Sequence, residues 1–396
     1  MKRDALLIAT PGGGDARGVE AVLGDFAGAG VKATHVDYGP EPGYWEKVRE
    51  MHASRQLADV LWSSSGNLQA VAYRHVTAEL DPLVRDDGYA LEDFLPNAVE
   101  AVKFNGRLHA LPWGGDPGMA GVLYNVDLLR QAGLDVTEDC ASFDGVSWDA
   151  LRDAARQAAR DDRFGIAPAN GLAGLTNWTG SYGGEFLVPD GRKLALRGPD
   201  FFKGLSLLWD VVATDHSAPT DGADPLDLFA AGRLAMAQVG YDAQRAPALA
   251  PIGGRFKWGI GLTPRGPAGK RGTALNVLGQ SIWARSGERD AAWQLLRFLL
   301  DPANAVKATL AGARPAMRPS VLDDPRLSAG LPAHACFAPL IKSAEGPKVP
   351  WNFRAAELDD EVHQSFANLL QGKQEPDWAL AYGVPRLQAV LDKPLP

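Results

Sequence analysis

Eleven tryptophans are the side chains with the clearest chemical use in this sequence, because several stand beside glycine or in loops instead of on helical stripes. Trp113 lies in PWGGD, three residues before Asp116, and Trp178 and Trp351 lie in NWTGSYGG and VPWNFR. A pyranose presents an apolar C–H face and a ring of hydroxyls, which an indole plate with a few fixed polar groups fits. The tryptophans therefore predict a carbohydrate site, with interior packing as the alternative for each of them.

Small polar residues form a second group of candidates. Gly12 and Gly13 follow the first predicted strand, where they either form its turn or place backbone N–H groups against a ligand. A further run follows the third predicted strand and consists of Ser63, Ser64, Ser65 and Asn67. These side chains are candidates for hydrogen bonds to a ligand, and the alternative is an ordinary role in the loop or as helix caps.

The common catalytic signatures do not occur. The sequence has no GxxxxGK[ST], GxSxG or HExxH motif, and its seven histidines lack the spacing of metal ligands. The acidic pairs Asp86-Asp87 and Asp359-Asp360 lie in polar contexts that are typical of solvated surfaces. We therefore predict no catalytic residues, no bound metal and no cofactor, and we expect a binding protein instead of an enzyme.

Composition limits the class of protein. A chain of 396 residues is longer than a single core usually supports, so it predicts two or more domains. A net charge of −8 argues against nucleic acid as a partner, and no apolar run reaches the ~18 residues of a membrane span. The apolar run in MKRDALLIAT is too short for a signal peptide, so the protein is either cytosolic or has lost an export signal. Cys140 and Cys336 form no CxxC motif, and their pairing stays open.

The elements that must position these residues alternate between strand and helix. From the amino terminus, the pattern predicts strand, helix, strand, helix and strand at residues 5–10, 16–29, 31–39, 44–56 and 58–66. This order implies a parallel sheet with right-handed crossovers, and ligands bind beyond the carboxyl ends of such strands. The expected binding loops are therefore residues 11–15, 38–44 and 63–67.

The later sequence continues the alternation. SWDALRDAARQAA predicts a helix capped by Ser147, and ERDAAWQLLRFLLDPA predicts an amphipathic helix that ends before Pro302. LAMAQVG, FKWGIGL and ALNVLGQSIWA read as strands, residues 199–213 as a helix, and residues 355–391 as mostly helical. The fold class is therefore α/β.

Several segments, in this order, resemble the extracellular solute-binding proteins of ABC importers, the family that includes maltose-binding protein. They are NGRLHALPWG with VLYNVDLLRQAGLD, SWDALRDAARQAA, LFAAGRLAMAQVG, GIGLTPRGP, LGQSIWARSGERDAAWQLLRFLLDP and GARPAMRPSVLDDP. The resemblance implies two α/β lobes joined by a hinge, with a sugar or glycoside bound in an interlobe cleft. It places residues 1–112 and 273–314 in the first lobe, and residues 113–272 and 315–396 in the second.

The resemblance also implies partners and site residues. The partners are a carbohydrate and the transmembrane subunits of an ABC permease, and no nucleic acid is expected. The protein is expected to be a monomer in the periplasm or outside the cell, where it associates with the membrane through its transporter. The ligand-binding residues it implies are Gly12, Gly13, Ser64, Ser65, Trp113, Asp116, Trp178, Tyr241, Asp242, Gly279, Gln280, Arg314 and Trp351. Asp116 has a turn or helix cap as its alternative, Arg314 a structural role, and Trp178 a place in the core of the second lobe.

Two rival functions stay open at this point. One is an enzyme that uses the same two-lobe frame, against which the missing nucleophile and metal motifs weigh. The other is a binding protein for an anionic or polyol sugar derivative, which Arg314, Arg245 and Arg354 could serve. The sequence does not show how many of these arginines face a ligand, nor which sugar is bound.

Overall fold

A computed structural model describes residues 5–26, 32–41, 43–196, 198–267 and 269–396. The chain divides into two compact units. Unit 1 comprises the described residues of Met1–Asp116, with Leu275–Leu331 and Ile341–Pro347, and unit 2 comprises those of Pro117–Ala274, with Pro332–Leu340 and Lys348–Pro396. The division between the units thus falls after Asp116 instead of residue 112, and residues 315–331 and 341–347 lie in unit 1, not with the second lobe as expected.

Unit 1 is a mixed sheet with helices. Its strands are β1 (Ala5–Thr10), β2 (Lys32–Asp37), β3 (Val60–Ser64), β4 (Lys103–Phe104), β5 (Arg107–Leu108), β6 (Leu111–Asp116) and β11 (Asn276–Ile282). Its helices are α1 (Gly14–Leu23), α2 (Gly43–Ala53), α3 (Ser65–Tyr73), α4 (Asp81–Asp87), α5 (Pro96–Ala101), α11 (Arg289–Leu299), α12 (Pro302–Ala311), α13 (Pro319–Leu322) and α14 (Pro325–Gly330). The main sheet has the order β2-β1-β3-β11-β6.

Strand direction in this sheet decides where the polar loops lie. β1 pairs in parallel with both β2 and β3, as the alternating sequence pattern predicts. β11 is antiparallel to β3 and to β6, so a segment from far along the chain closes the sheet. The carboxyl ends of β1, β2, β3 and β6 therefore share one edge with the start of β11.

Unit 2 contains a second sheet with its own core. Its strands are β7 (Gly121–Asn125), β8 (Phe164–Ala167), β9 (Leu234–Val239) and β10 (Trp258–Leu262), in the order β10-β7-β9-β8. Its helices are α6 (Val126–Gln131), α7 (Trp148–Ala158), α8 (Gly171–Ser181), α9 (Pro199–Trp209), α10 (Pro225–Ala230), α15 (His334–Ser343, whose last turn belongs to unit 1), α16 (Ala355–Leu370) and α17 (Pro376–Leu391).

Local sequence signals explain several boundaries. The Ser147 hydroxyl accepts a hydrogen bond from the Ala150 N–H at 3.1 Å, so it caps α7 as predicted. Pro302 follows α11, as expected, and it is also the first residue of α12. The side chain of Asp301 caps the first turn of that helix. α1 begins at Gly14 and ends at Leu23, which is earlier than predicted, and residues 27–29 of the predicted helix lie outside the described residues.

The two cysteines form a disulfide in unit 2. Cys140 lies in a short 3₁₀ turn, Cys140–Phe143, and Cys336 lies in the first turn of α15, 196 residues further along the chain. The bond therefore ties a returning segment of the chain to unit 2. Among the helices of the described residues, none is long and apolar enough to cross a membrane.

Candidate functional site

The candidate site lies at the carboxyl edge of the unit 1 sheet, and we call its polar residues Asp15, Glu41, Ser64, Asn67, Asp116 and Arg314 the polar edge. Asp15 follows β1, Glu41 follows β2, and Ser64 and Asn67 stand at the end of β3 and the start of α3. Asp116 ends β6 opposite Asn276, the first residue of β11. Strand direction thus brings together residues that are widely separated in the sequence.

Arg314 is the centre of the polar edge. Its guanidinium donates to Asp15 Oδ2 from Nη1 at 3.2 Å and to the Asp116 carboxylate from Nε. Both carboxylates are buried, whereas the Arg314 side chain is 30% exposed. One cation thus holds two acids from two different strand ends in fixed positions, and carboxylates are acceptors of the kind that sugar hydroxyls need.

Glycines allow Arg314 to reach this position. A Cβ on Gly114 would lie 2.8 Å from the Arg314 carbonyl oxygen, and one on Gly115 would lie 2.5 Å from the Asn276 carbonyl oxygen. The Gly115 N–H also donates to the Pro315 carbonyl at 3.1 Å. Gly114 is therefore needed because the segment that carries Arg314 packs directly on β6, and Gly115 because β11 approaches β6 closely.

Glu41 extends the polar edge toward aromatic residues. Its carboxylate accepts a hydrogen bond from Trp45 Nε1 at 2.6 Å and from Asn67 Nδ2 at 3.5 Å, and Asn67 also donates to Ser64 Oγ at 3.2 Å. Glu41 is an exposed residue overall, but its carboxyl end lies among these groups. That partial burial raises the pKa of the Glu41 carboxyl above its usual value, and the hydrogen bond from Trp45 and the charge of Arg314 oppose the rise.

Aromatic rings stand beside these polar groups in unit 1. Trp45 lies 6.2 Å from Trp62, and Tyr44 packs edge-on against both rings. Tyr44 donates its hydroxyl to the Trp62 carbonyl at 2.8 Å, which fixes the cluster to β3. Trp113 is buried, and its indole N–H, like that of Trp62, has no hydrogen-bond partner among the described residues. Trp113 therefore remains a predicted ligand contact.

Other residues predicted for unit 1 stand within the sheet or its turns. Ser65 is buried, and its hydroxyl accepts the Val277 N–H at 3.3 Å, which joins α3 to β11. Gly279 lies at a bulge, where a Cβ would come within 2.6 Å of Ala110, so this glycine serves close packing. Gln280 is fully buried opposite Trp62, and its amide has no partner among the described residues. Ser65, Gly279 and Gln280 remain predicted contacts only.

Gly12 and Gly13 occupy the turn between β1 and α1. Gly13 has φ of 93°, a conformation that favours glycine, and it is the residue before the first turn of α1. A Cβ on Gly12 would lie 3.1 Å from the Asp37 carboxylate. Local geometry thus accounts for both glycines, and a ligand contact by their backbone stays a prediction.

Trp178 is a core residue of unit 2, which corrects the expectation that it stacks on a ligand. Its ring is 1% exposed and lies 4.5 Å from that of Trp148. Its indole N–H donates to Gln238 Oε1 at 2.9 Å, and Gln238 in turn donates to the carbonyls of Met119 and Gly174. The position on α8 faces the sheet, so the core alternative holds for this tryptophan.

Tyr241 and Asp242 follow β9, as predicted, but both have partners within unit 2. The Tyr241 hydroxyl lies 2.8 Å from His334 Nδ1, and its ring packs on Phe337 of α15. Burial raises the pKa of Tyr241, so the phenol stays neutral. Asp242 forms an ion pair with Arg245 at 2.5 Å. A ligand contact by either residue stays a prediction.

Trp351 is half-buried near the end of α17 in unit 2. Its indole N–H donates to the Leu391 carbonyl at 2.7 Å, and the guanidinium of Arg192 lies 4.8 Å from the ring centroid. One face of the indole is thus already occupied by a cation. Stacking of a sugar on Trp351 remains a prediction.

Sequence reasoning missed Asp15, Glu41 and Trp45 as individual site residues. Asp15 and Glu41 lie in the loops that the strand order selected, so the signal was present for them. Trp45 lies on α2, one residue beyond such a loop. Within the described residues, no cluster of three or more His, Cys, Asp or Glu side chains could hold a metal ion.

Comparisons with known proteins identify the family of this chain. Residues 26–333 match the family described as bacterial extracellular solute-binding proteins. This chain belongs to that family. A binding protein of Brucella abortus (strain 2308) is 26% identical over 338 residues, which cover 80% of this chain and 76% of that relative.

Solved structures of sugar-binding proteins share the fold. An ABC substrate-binding protein of Listeria monocytogenes, in complex with cycloalternan, has a TM-score of 0.80 at 17% identity and covers 98% of this chain and 99% of its own. A cyclic alpha-maltosyl-1,6-maltose binding protein of Arthrobacter globiformis has a TM-score of 0.80 at 19% identity, with 99% of both chains covered. At these identities the match establishes the α/β solute-binding fold.

Proposed function

We propose that this protein is the solute-binding component of an ABC importer and that it captures a neutral sugar or polyol. The observation that carries the proposal is the polar edge, where Arg314 fixes two buried carboxylates and Glu41 stands beside Trp45. Carboxylates fixed beside an indole can accept hydroxyl hydrogen bonds while the ring covers a C–H face. Family membership and the sugar-binding proteins that share the fold support this assignment.

The charges of the site favour a neutral ligand over an anionic one. Each of the three arginines considered for an anion has a carboxylate partner: Arg314 has Asp15 and Asp116, Arg245 has Asp242, and Arg354 has Glu357. A sugar phosphate or sulfonate would have to compete with these carboxylates and would approach further negative charge at the polar edge. A neutral hydroxylated ligand meets no such cost.

The remaining assignments follow from this function. The two units are proposed to be the two lobes of the binding protein, which delivers its ligand unchanged to a membrane permease. A monomer in the periplasm or outside the cell, held near the membrane through its transporter, is the form we expect. We assign no residue as a nucleophile or as a general acid or base, and we therefore propose that the protein binds its ligand without converting it.

A thermal-shift screen tests the proposed function. The panel comprises maltose, cycloalternan, D-tagatose and ribitol as neutral ligands, and glucuronate and glucose 6-phosphate as anionic ones. Binding to the folded state raises the melting temperature by mass action, so a neutral sugar or polyol is expected to raise it. A rise with the anionic compounds alone would contradict the neutral assignment, and recovery of a chemically altered sugar would contradict a binding role.

A further inference from the structure

A groove of about 160 Å³ runs between α2 and α3 of unit 1, and its walls are both apolar and cationic. Val48, Val71 and Val76 are buried and form the apolar part of its lining. Arg49 and Arg74 are exposed residues on its two sides, with His52 beside them. We call this the α2–α3 groove.

The two arginines of the groove differ from several other arginines of unit 1. Arg297, Arg314 and Arg318 each form an ion pair with an aspartate, whereas Arg49 and Arg74 form none with any residue that the structure describes. Neither guanidinium is therefore paired with a carboxylate in the part of the chain that the structure describes. A molecule with a net charge of −8 thus carries a local basic surface.

A third arginine adds to this surface. Trp283 donates its indole N–H to His52 Nδ1 at 3.1 Å, and the charge of Arg285 acts on the same imidazole. Arg285 is exposed and also has no ion pair among the described residues. Burial and this nearby charge lower the pKa of His52, as expected beside uncompensated positive charge. Glu41, at the Trp45 end of the groove, is held by Trp45 and Asn67 instead.

We propose that the α2–α3 groove docks an acidic peptide segment of the membrane permease, with an apolar side chain between the helices and carboxylates on Arg49 and Arg74. Guanidinium groups bind carboxylates through two parallel hydrogen bonds, and a narrow groove with an apolar lining fits a side chain better than a planar lipid surface. The inference rests on the proposed function, because it needs a permease as the partner. Steering by opposite charges also speeds such an encounter.

The test uses the full-length protein and its permease complex in proteoliposomes. The variant Arg49→Glu/Arg74→Glu reverses the groove charge, and the matched control Arg107→Glu/Arg160→Glu reverses two exposed arginines that also lack ion pairs among the described residues. We expect the first variant to need at least tenfold more protein for half-maximal stimulation of the ATPase, and the control to match wild type. Sugar affinity, measured by calorimetry with the best ligand of the screen, is expected to stay unchanged in both.

The other outcomes each contradict the proposal. Equal ATPase stimulation by wild type and the groove variant would exclude docking there, and an equal loss in the control would indicate a general charge effect. If wild type sediments with phosphatidylglycerol vesicles and the groove variant does not, the groove binds lipid. If wild type binds glucuronate and the groove variant does not, the groove binds a free anion. If the double glutamate variant does not fold, Arg49→Gln/Arg74→Gln takes its place. Failure of wild type itself to bind any sugar or stimulate the ATPase would instead contradict the proposed function.

Discussion

The carboxyl group of Glu41 accepts hydrogen bonds from Trp45 and Asn67, and its pKa is raised because that end of the side chain is partly buried. A carboxyl whose pKa is higher in the folded state keeps its proton to a higher pH there than in the unfolded chain. Its contribution to stability is therefore lost as the pH rises through the window above the usual carboxyl pKa of 4.5.

Replacement of Glu41 by glutamine tests this directly. Glutamine keeps the acceptor for Trp45 but cannot ionise, so we expect Glu41→Gln to gain stability relative to wild type as the pH rises from 4 to 7. Urea unfolding at several pH values measures the difference. Glu46→Gln, which removes a charge from the exposed surface of the neighbouring helix α2, is the matched control. A difference between Glu41→Gln and wild type that does not change with pH would contradict the altered pKa.

Trp178 illustrates that burial, more than residue type, decides the role of an indole. Because it packs on Trp148 and donates to Gln238 inside unit 2, we expect Trp178→Ala to lower the free energy of unfolding by about 3–5 kcal/mol. Trp178→Phe should cost less, since it keeps most of the ring and loses the hydrogen bond. Urea melts of the protein without ligand give both values. Wild-type stability combined with lost sugar affinity would restore the stacking role.

At the scale of elements, the approach of the Arg314 segment to β6 is the contact that builds the polar edge. Gly114→Ala places a Cβ against the Arg314 carbonyl, so the segment must move away from Asp116. We expect a loss of about 1–3 kcal/mol in stability, as for other overpacked sites, together with weaker sugar binding. Gly24→Ala, on a glycine whose Cβ would meet open space, is the control. Unchanged stability in Gly114→Ala would contradict the close packing.

The disulfide joins two elements that the chain separates by 196 residues. A cross-link over such a long loop stabilises mainly by restricting the unfolded chain, by about 2–5 kcal/mol. We therefore expect the Cys140→Ser/Cys336→Ser variant, or the reduced protein, to melt at a lower temperature than the oxidised wild type. Two titratable thiols in the folded protein after oxidative expression would contradict the pairing.

At the scale of the whole molecule, the sequence predicted what depends on neighbours along the chain. The alternation of strands and helices, the Ser147 cap and the loops after β1, β2 and β3 all follow from local patterns. The pairing of Asp116 with Arg314 does not, because the two residues are 198 positions apart and meet only when β11 closes the sheet. The role of Trp178 was missed for a related reason, since only packing shows which face of α8 is buried.

The family resemblance gave the fold and the class of function, which the family match confirms. It did not reveal that Arg314, Arg245 and Arg354 are all engaged by carboxylates, and this arrangement is what favours a neutral ligand.

The central claim is that the polar edge binds a neutral sugar or polyol, and calorimetric titration of wild type and Asp116→Asn with the best neutral ligand of the screen tests it most directly. Asparagine keeps the size of the side chain and removes the charged acceptor that Arg314 holds in place. Since hydrogen bonds to charged groups contribute about 1.5–3 kcal/mol, the account predicts roughly 10- to 100-fold weaker binding by the folded protein. Loss of the ion pair with Arg314 is also expected to lower the melting temperature without ligand, so affinity is measured below that temperature. Equal affinity in both proteins would contradict it.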